Sequence, residues 1–440
     1  MRARRPAPYK HVGRVDVYLW DQHLGAVALD PRYGYYAFAY TPEARRAGLQ
    51  PAPLTMPTTE ERAWIFTELP EATYKRLPAL MADALPDDFG NALIDRYMAE
   101  RGLSAQQVTP LDRLAYMAGR GLGALTFRPA RGPANRLATA IELGQLVEAA
   151  RRAVSGSLED EEQAGASLRG IIDVGTSAGG ARAKAVVAWN PVTHELRSGQ
   201  VEAPAGFEHW LLKFDGVGPD HALGASQPFG RVEYAYHLMA RAAGVHMEDC
   251  RLLEEHGRAH FMTRRFDREP AGEGPAVRHH TQTLCAMAHL DYKKRGTHAY
   301  AQLFHTVQAL GLPYEAREEA FRRMALNVMG RNCDDHTKNL SFRLRQGHPW
   351  ELAPAYDISF AHNPQGEWTR QHLMAVDGRY DGITAENLLA EADRFALGTG
   401  RRVLEQVRAA ILDWPRFAQL AGVPEPVTTA IRSQQRPLPA

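Results

Sequence analysis

The sequence predicts an α+β protein with more than one compact unit. Its 440 residues exceed what a single hydrophobic core usually supports. Apolar residues alternate near the start of the chain and again between about residues 185 and 264, which is typical of β-strands. Elsewhere they recur at helical spacing. We therefore expect β-rich and helical segments in turn along the chain.

The first segment is expected to be a small α/β domain over residues 1–157. Residues 14–40 alternate in polarity, with Gly25 and Gly34 at turns, which favours short antiparallel strands. Helices are expected from about residue 60, and a further helix over 138–154. The helical spacing is carried by Leu93, Ile94, Tyr97 and Met98, and by Leu111, Leu114, Ala115 and Met117. The polar stretch 155–162 reads as a linker.

Two further segments follow this linker. Residues 158–265 are expected to be β-rich, with strands near 185–189, 210–214 and 260–264 and a helix near 232–243. Residues 266–440 are expected to be mainly helical. The predicted helices lie near 281–288, 299–310 and 314–329, and after residues 384 and 401.

Composition excludes several classes of protein. Lys plus Arg (52) nearly balances Asp plus Glu (51), so the chain lacks the global field of a protein that coats nucleic acid. Three cysteines are too few for a disulfide framework. The basic start of the chain is followed by no apolar signal core, and no stretch of eighteen apolar residues is present. We expect a soluble cytoplasmic protein that does not enter membranes.

A glycine-rich loop is the first candidate for chemistry. Residues 175–184 read GTSAGGARAK and precede an apolar run. Glycines let backbone amides approach phosphate oxygens closely, and Lys184 adds a positive charge. The loop matches neither a Walker A motif nor G-x-G-x-x-G, so an ordinary hairpin turn is the competing interpretation.

Lys213 is the second candidate, as the single cation of a short apolar strand pattern, Trp210–Phe214. Protein kinases keep a strand lysine about thirty residues after their glycine loop, where it pairs with nucleotide phosphates. Glu233, on the following predicted helix, is the natural carboxylate to hold it. A snorkelling lysine at a sheet edge would give the same pattern.

The segment 333–339, which reads CDDHTKN, carries the strongest signal. Phosphoryl transfer needs a carboxylate to deprotonate the attacking hydroxyl and oxygen ligands to hold Mg²⁺ on the phosphates. Asp334, Asn339 and Asp357 can supply these roles. The interval of five from Asp334 to Asn339 is that of the kinase catalytic loop, whereas Asp335 does not keep it. Asp334 is therefore the predicted base, and Asp335 has no assigned chemistry.

Each of these residues also has a structural explanation. The two aspartates can cap a helix or form a turn, His336 can be a structural imidazole, and Asp357 a solvated loop acid. The ordered series of glycine loop, strand lysine, helix glutamate, Asp…Asn and Asp favours a kinase over chance.

The sequence resembles the HipA-type serine/threonine kinases, toxins of bacterial type II toxin–antitoxin pairs. The family pattern D-x-H-x-K-N is similar to residues 334–339, and its metal-binding tract to residues 354–357. Residues 177–184 (SAGGARAK) resemble its phosphate loop, and residues 265–268 its hinge. Short stretches of the family's N-terminal domain resemble residues 17–20, 24–25, 38–40, 85–87 and 121–125.

The resemblance implies a protein-kinase-like two-lobed fold with an additional small N-terminal α/β domain. It also implies ATP and Mg²⁺ as cofactors, with Asp334 as catalytic residue and Asn339 and Asp357 as metal ligands. The implied ATP-binding residues are Gly179, Gly180, Ala181, Arg182, Ala183, Lys184, Lys213, Arg264, Arg265, Phe266, His336, Thr337, Lys338, Asn339, Tyr356 and Asp357, with Glu233 supporting Lys213.

The resemblance further implies regulation and partners. A serine of the phosphate loop, here Ser177 with Thr176 beside it, would be autophosphorylated. A phosphate there would repel the nucleotide phosphates. A helix-turn-helix antitoxin of HipB type would neutralise the kinase and provide its main route to operator DNA, and the substrate would be a cellular protein of unknown identity.

Three other functions compete with a protein kinase. A small-molecule phosphotransferase would use a similar Asp…Asn loop. A kinase-shaped corepressor would bind a helix-turn-helix partner without catalysis. A metal-dependent hydrolase built on Asp334, Asp335 and His336 would leave Lys213 and the glycine loop without a role.

Overall fold

The structure of the protein is a computed structural model that describes residues 9–86, 88–133, 183–200, 203–215, 228–255, 257–271 and 274–439. The chain divides into two compact units. The first unit comprises Met1–Leu211, Asp267–Gln282 and Leu344–Gly347, and the second comprises Leu212–Phe266, Thr283–Arg343 and His348–Ala440. The predicted domain boundaries after residues 157 and 265 stay predictions.

Helices and strands are mixed along the described chain, as the predicted α+β class requires. The strands are β1 (Arg14–Leu19), β2 (Gln22–Asp30), β3 (Tyr35–Tyr40), β4 (Ala63–Trp64), β5 (Leu125–Arg128), β6 (Lys184–Trp189), β7 (Leu196–Ser198), β8 (Glu208–Lys213), β9 (Cys250–Glu255), β10 (Arg258–Arg264), β11 (Arg268–Ala271), β12 (Gly274–Arg278), β13 (His280–Thr283), β14 (His298–Ala299), β15 (Ser341–Leu344), β16 (Trp350–Leu352) and β17 (Met374–Ala375). The helices are α1 (Pro42–Arg46), α2 (Glu71–Tyr74), α3 (Ala79–Ala82), α4 (Asp88–Ala99), α5 (Pro110–Met117), α6 (Phe229–Ala242), α7 (Leu284–Met287), α8 (Tyr300–Ala309), α9 (Tyr314–Gly330), α10 (Ala385–Arg394), α11 (Gly400–Leu412), α12 (Trp414–Leu420) and α13 (Glu425–Gln434).

The first unit contains a five-stranded sheet in the order β4-β3-β2-β1-β5. In β1 the predicted alternation is confirmed, because Val15, Val17 and Leu19 are buried and the residues between them are not. Burying a side chain of this kind contributes about 1.5–3 kcal/mol. Trp20 and Asp21 both take positive φ (49° and 62°) and join β1 to β2, as a two-residue hairpin turn matched to strand twist requires.

The helices predicted around Ile94 and Leu114 are confirmed as α4 and α5. Helix α5 begins with a capping box in which Thr109 accepts from the amide of Asp112 and Asp112 accepts from the amide of Thr109. The buried Asp112 carboxylate also accepts from the amide of Val12 at 2.9 Å. This contact ties the start of the described chain to the helix.

The second unit carries the last two residues of β8, the paired strands β9 and β10, and most of the long helices. Helix α9 packs on α11, and α6 packs on α12. The ring centroids of Tyr236 on α6 and Trp414 on α12 lie 5.1 Å apart, and both side chains are fully buried. These contacts fix α6, which carries Glu233, in the core of the unit.

The predicted helix over residues 281–288 is wrong at its start. His280–Thr283 is a strand with alternating burial, and helix α7 covers only Leu284–Met287. The reason is local, because the Thr283 side chain accepts from the amide of Ala286 and so caps the helix there. The β11–β12 hairpin also interrupts the stretch that was expected to be mainly helical.

Among the residues that the structure describes, no helix combines the length and the apolar character needed to cross a membrane.

Close packing of α6 on β10 depends on Gly230. A Cβ atom at this position would lie 1.9 Å from the carbonyl oxygen of Ala259, a backbone atom that cannot turn aside. We expect Gly230→Ala to lower the free energy of unfolding by about 1–3 kcal/mol, measured by urea denaturation. Gly330→Ala is the matched control, because its Cβ would make ordinary contacts of 3.4 Å or more and alanine favours helix by about 1 kcal/mol. Equal stability of the two variants would contradict the prediction.

Candidate active site

The predicted catalytic loop follows α9 in the second unit. Helix α9 ends at Gly330, and the left-handed backbone of the next residue, Arg331 (φ 56°), turns the chain out of the helix. The loop closes with a 3₁₀ turn at Thr337–Asn339, in which the amide of Asn339 donates to the carbonyl of His336 at 2.9 Å. The Thr337 hydroxyl donates to the carbonyl of Leu290 at 2.7 Å. The loop is therefore fixed at its end by both backbone and side chain.

Asp334 lies in this loop with its side chain 41% exposed. Its backbone carbonyl accepts a hydrogen bond of 2.8 Å from the Asn339 side-chain amide, and its Oδ1 lies 3.8 Å from Nε2 of His336. The pKa of the Asp334 carboxyl is raised, mainly because the surrounding protein reduces its contact with water. The negative charges of Asp357 and Asp335 also raise this pKa, whereas the positive charges of His336 and Lys213 lower it. A raised pKa makes this carboxylate a better proton acceptor.

Lys213 occupies the end of β8 and meets two carboxylates. Its ammonium donates to Oε1 of Glu233 and, at 2.5 Å, to Oδ1 of Asp357. Burial alone would lower the pKa of Lys213, but Asp357 and Glu233 outweigh it and hold that pKa above its usual value. The structure thus brings together the predicted strand lysine, helix glutamate and second aspartate, with the lysine charged.

Asp357 and Asn339 line one small recess in the second unit. The side-chain nitrogen of Asn339 donates to the backbone carbonyl of Asp334. The side-chain oxygen of Asn339 is therefore the atom that could bind a cation. Among the described residues no group of three or more His, Cys, Asp or Glu side chains is placed to hold a metal ion. One carboxylate and one amide oxygen nevertheless fit Mg²⁺, which takes few protein ligands and completes its shell with phosphate and water.

Three residues of the predicted nucleotide site contact one another. The rings of Phe266 and Tyr356 stack with centroids 5.8 Å apart. The Tyr356 hydroxyl donates to the carbonyl of Lys338 at 2.7 Å, next to Asn339. Arg343 donates to the carbonyl of Phe266 at 2.8 Å. The hinge segment and the end of the catalytic loop are therefore held together within the second unit.

The remaining predicted residues are placed as follows. Arg265 is buried, and Nε of Arg264 lies 3.5 Å from Oε2 of Glu248. Ala183 and Lys184 are buried in the first unit, where Lys184 opens β6. Ser177, Gly179, Gly180, Ala181 and Arg182 lie outside the described residues.

A buried hydrogen-bond network around Asp335 was missed by the sequence analysis. Asp335 accepts from the Tyr300 hydroxyl at 2.9 Å, from Nδ1 of His372 at 2.9 Å and from the amide of Leu373 at 2.7 Å. Asn327 in turn donates to the Tyr300 hydroxyl at 2.9 Å. Asp335 and His372 lie 37 positions apart in the sequence, so no local spacing could reveal the pair.

The pair also makes stability depend on pH. Burial alone would lower the pKa of His372, but the charge and hydrogen bond of Asp335, assisted by Cys333, raise that pKa to about 10. The histidine is therefore protonated in the folded protein at neutral pH, and Asp335 is its counter-charge.

We expect the resulting stabilisation to be complete below pH 6.5, the ordinary value for an imidazole, and to be lost as the pH rises toward 10. The difference in unfolding free energy between wild type and His372→Asn should shrink over this window by up to about 1.4 kcal/mol per pH unit. Urea denaturation of both proteins at several pH values measures it. A difference that grows with pH would show the sign to be wrong.

Two family models match the chain. Residues 176–415 match the family described as HipA-like C-terminal domain, and residues 15–128 match the HipA N-terminal domain. No curated protein matches the chain.

Solved structures that match this chain include the following two. One is HipA in the Shewanella oneidensis MR-1 toxin–antitoxin complex with HipB and operator DNA, with a TM-score of 0.67 and 17% identity over 95% of this chain and 94% of that one. The other is the Helicobacter pylori proinflammatory kinase CtkA, with a TM-score of 0.32 and 11% identity over 52% of this chain and 88% of that one. The first similarity shows a shared fold.

Proposed function

Because the chain belongs to the HipA family, we propose that it is an ATP- and Mg²⁺-dependent serine/threonine protein kinase that acts as a toxin on a cellular protein. The observation that carries the proposal is the Lys213 ammonium, which joins Glu233 and Asp357 in the unit that also holds Asp334. Kinases need this lysine–glutamate pair and a metal-binding aspartate in place before they transfer phosphate.

In this proposal Asp334 accepts the proton of the substrate hydroxyl as the γ-phosphoryl group moves. Its partial exposure lets a hydroxyl approach, and its raised pKa favours proton uptake. Asn339 and Asp357 would hold Mg²⁺, which neutralises phosphate charge when bound. Lys213 would orient the phosphates, and Lys338 would steady the group in transfer.

The rest of the nucleotide is assigned to other segments. Phe266, with Arg264 and Arg265, would border the base, and His336 and Thr337 would shape the loop beneath the phosphates. Residues 179–184 would form the phosphate loop, with Lys184 adding charge. Modification of Ser177, or of Thr176 beside it, would place a phosphate of about −1.5 to −2 charge in that loop and weaken ATP binding.

A partner is proposed on the same basis. Shewanella oneidensis HipA is found with HipB and operator DNA, and it shares its fold with this chain. We propose a HipB-type, helix-turn-helix antitoxin as the partner here, with operator DNA reached mainly through it. The matches at residues 15–128 and 176–415 also favour an N-terminal domain over 1–157 ahead of two kinase lobes, 158–265 and 266–440.

Labelled ATP tests the proposal. The purified chain is incubated with γ-labelled ATP, with Mg²⁺ or with excess EDTA, alone and with a cell extract. Label on protein Ser or Thr that depends on Mg²⁺ is the expected result. Label only on small molecules would favour a metabolite phosphotransferase. A chain that neither transfers label nor binds ATP·Mg²⁺ in a titration would be a non-catalytic corepressor.

A further inference from the structure

The position of Asp334 is set by its neighbours in the chain. Its Oδ1 stands 3.8 Å from Nε2 of His336, which is longer than a hydrogen bond. The backbone of Asp334 is held from one side, by the Asn339 amide at its carbonyl. The adjacent residue, Asp335, is the point at which the loop is attached to the core.

Asp335 is attached by three donors from two other segments. Tyr300 of α8 reaches Oδ2 at 2.9 Å, Nδ1 of His372 reaches the same oxygen at 2.9 Å, and the amide of Leu373 reaches Oδ1 at 2.7 Å. The side chains of Asp335 and His372 are each 1% exposed. A carboxylate with both oxygens bonded in a buried site has little freedom to move.

His372 belongs to the segment that follows Asp357. That segment is also attached near its start, where the amide of Ala361 donates to the carbonyl of Arg331 at 3.1 Å. Both ends of the segment therefore rest on the stretch 331–335, which leads into the catalytic loop. The contact between Asp335 and His372 therefore holds the segment that follows Asp357, the proposed metal ligand, against the residue next to Asp334, the proposed base.

Stability alone is a weak reason for such a pair. Removing two charged groups from water costs several kcal/mol for each ion, and well-packed apolar residues in their place are often as stable or more stable. Unlike an apolar contact, a pair with three directed hydrogen bonds fixes the orientation of the Asp335 side chain. Misplacing a reacting group by about 1 Å can cost about 10²-fold in rate.

We propose that the buried Asp335–His372 pair is a positioning device that holds Asp334 in its working place, so that phosphoryl transfer requires both residues, which act through Asp334. The inference rests on the proposed kinase function. It makes Asp335 and His372 positioning residues, with Tyr300 as their support.

The test compares turnover of γ-labelled ATP with Mg²⁺, counted as label on protein plus label released to water. We expect Asp335→Asn and His372→Gln to lower kcat about 10- to 100-fold. The KM for ATP should stay within about threefold, because both side chains are only 1% exposed and are already bonded to each other. The double variant should be no worse than the more affected single variant, because the two residues act as one unit.

Two matched variants separate position from stability. Asn at 372 offers its side-chain nitrogen where Nδ1 of histidine stood, whereas Gln moves it one bond further out. His372→Asn should therefore keep at least about ten times the kcat of His372→Gln. Glu391 is a buried carboxylate on α10 that likewise accepts from a backbone amide, that of Asp377, and from a cation, Arg394. Glu391→Gln should lose stability while its kcat stays within about twofold of wild type.

The outcomes are distinct. Absence of ATP turnover by the wild-type chain would contradict the proposed kinase function itself. An active wild type whose Asp335→Asn and His372→Gln variants keep full kcat would overturn only the positioning role. Equal loss of kcat in Glu391→Gln would also overturn it. Should Asp335→Asn fail to fold, His372→Asn against His372→Gln decides, since both retain Asp335, and equal kcat in that pair counts against the inference.

Discussion

Replacing Asp334 by asparagine is expected to lower kcat for phosphoryl transfer about 10²- to 10⁴-fold, the range that a general base contributes. The amide keeps the shape of the side chain but cannot take a proton. Folding should not suffer, because the pKa of Asp334 is raised in the folded protein and its charged form is therefore disfavoured there. Turnover of labelled ATP and thermal unfolding of the same preparation measure both effects.

Asp335→Asn is the adjacent control, and it should behave differently. Asp335 is the buried counter-charge of His372, and breaking a buried pair by removing one partner typically costs about 3–5 kcal/mol. Asp334→Asn should thus be stable and inactive, whereas Asp335→Asn should be clearly less stable. Full activity of Asp334→Asn would show that another group takes the proton.

The second large effect is expected at Lys213. Lys213→Met leaves Glu233 and Asp357 without the ammonium that they share, and both carboxylates are largely buried. We expect the free energy of unfolding to fall by about 3–5 kcal/mol. Loss of one preorganised charge at the phosphates should also lower kcat at least about 10²-fold.

The two effects at Lys213 can be separated. Adding Glu233→Gln to Lys213→Met removes one of the stranded charges and should recover part of the stability without recovering kcat. Lys294→Met, at an exposed lysine of the same unit, is the control and should change stability by less than about 0.5 kcal/mol. If Lys213→Met is as stable and active as this control, the ion pairs have no role in folding or catalysis.

Local patterns in the sequence were enough to predict the contact between Lys213 and Glu233. Protein kinases place a strand lysine before a helix glutamate that holds it, and Lys213 and Glu233 follow this order and are in contact. The strands of residues 14–40 could also be predicted from the sequence, because apolar residues alternate there with the period of a strand, and burial in β1 follows the same alternation.

Contacts between distant segments could not be read in this way. Asp335 was excluded as a base by spacing, but its bonds to Tyr300 and His372 join positions 35 and 37 residues away. The helix start near residue 281 was misplaced because a threonine cap decides it, and apolar periodicity does not register caps. Residues 175–182, which carry the glycine loop, lie outside the described chain, so that prediction stands as it was made.

The backbone at Asp357 limits which residues evolution or an experimenter can place there. Its φ of 53° lies in the left-handed region, which aspartate and asparagine enter more readily than most side chains. Glutamate could offer the same carboxylate to a cation, yet it lacks the short side chain that eases this conformation. Two requirements therefore restrict position 357, namely a carboxylate that can bind a cation and a backbone in the left-handed region. Asparagine is the substitution that removes the carboxylate and still tolerates this backbone.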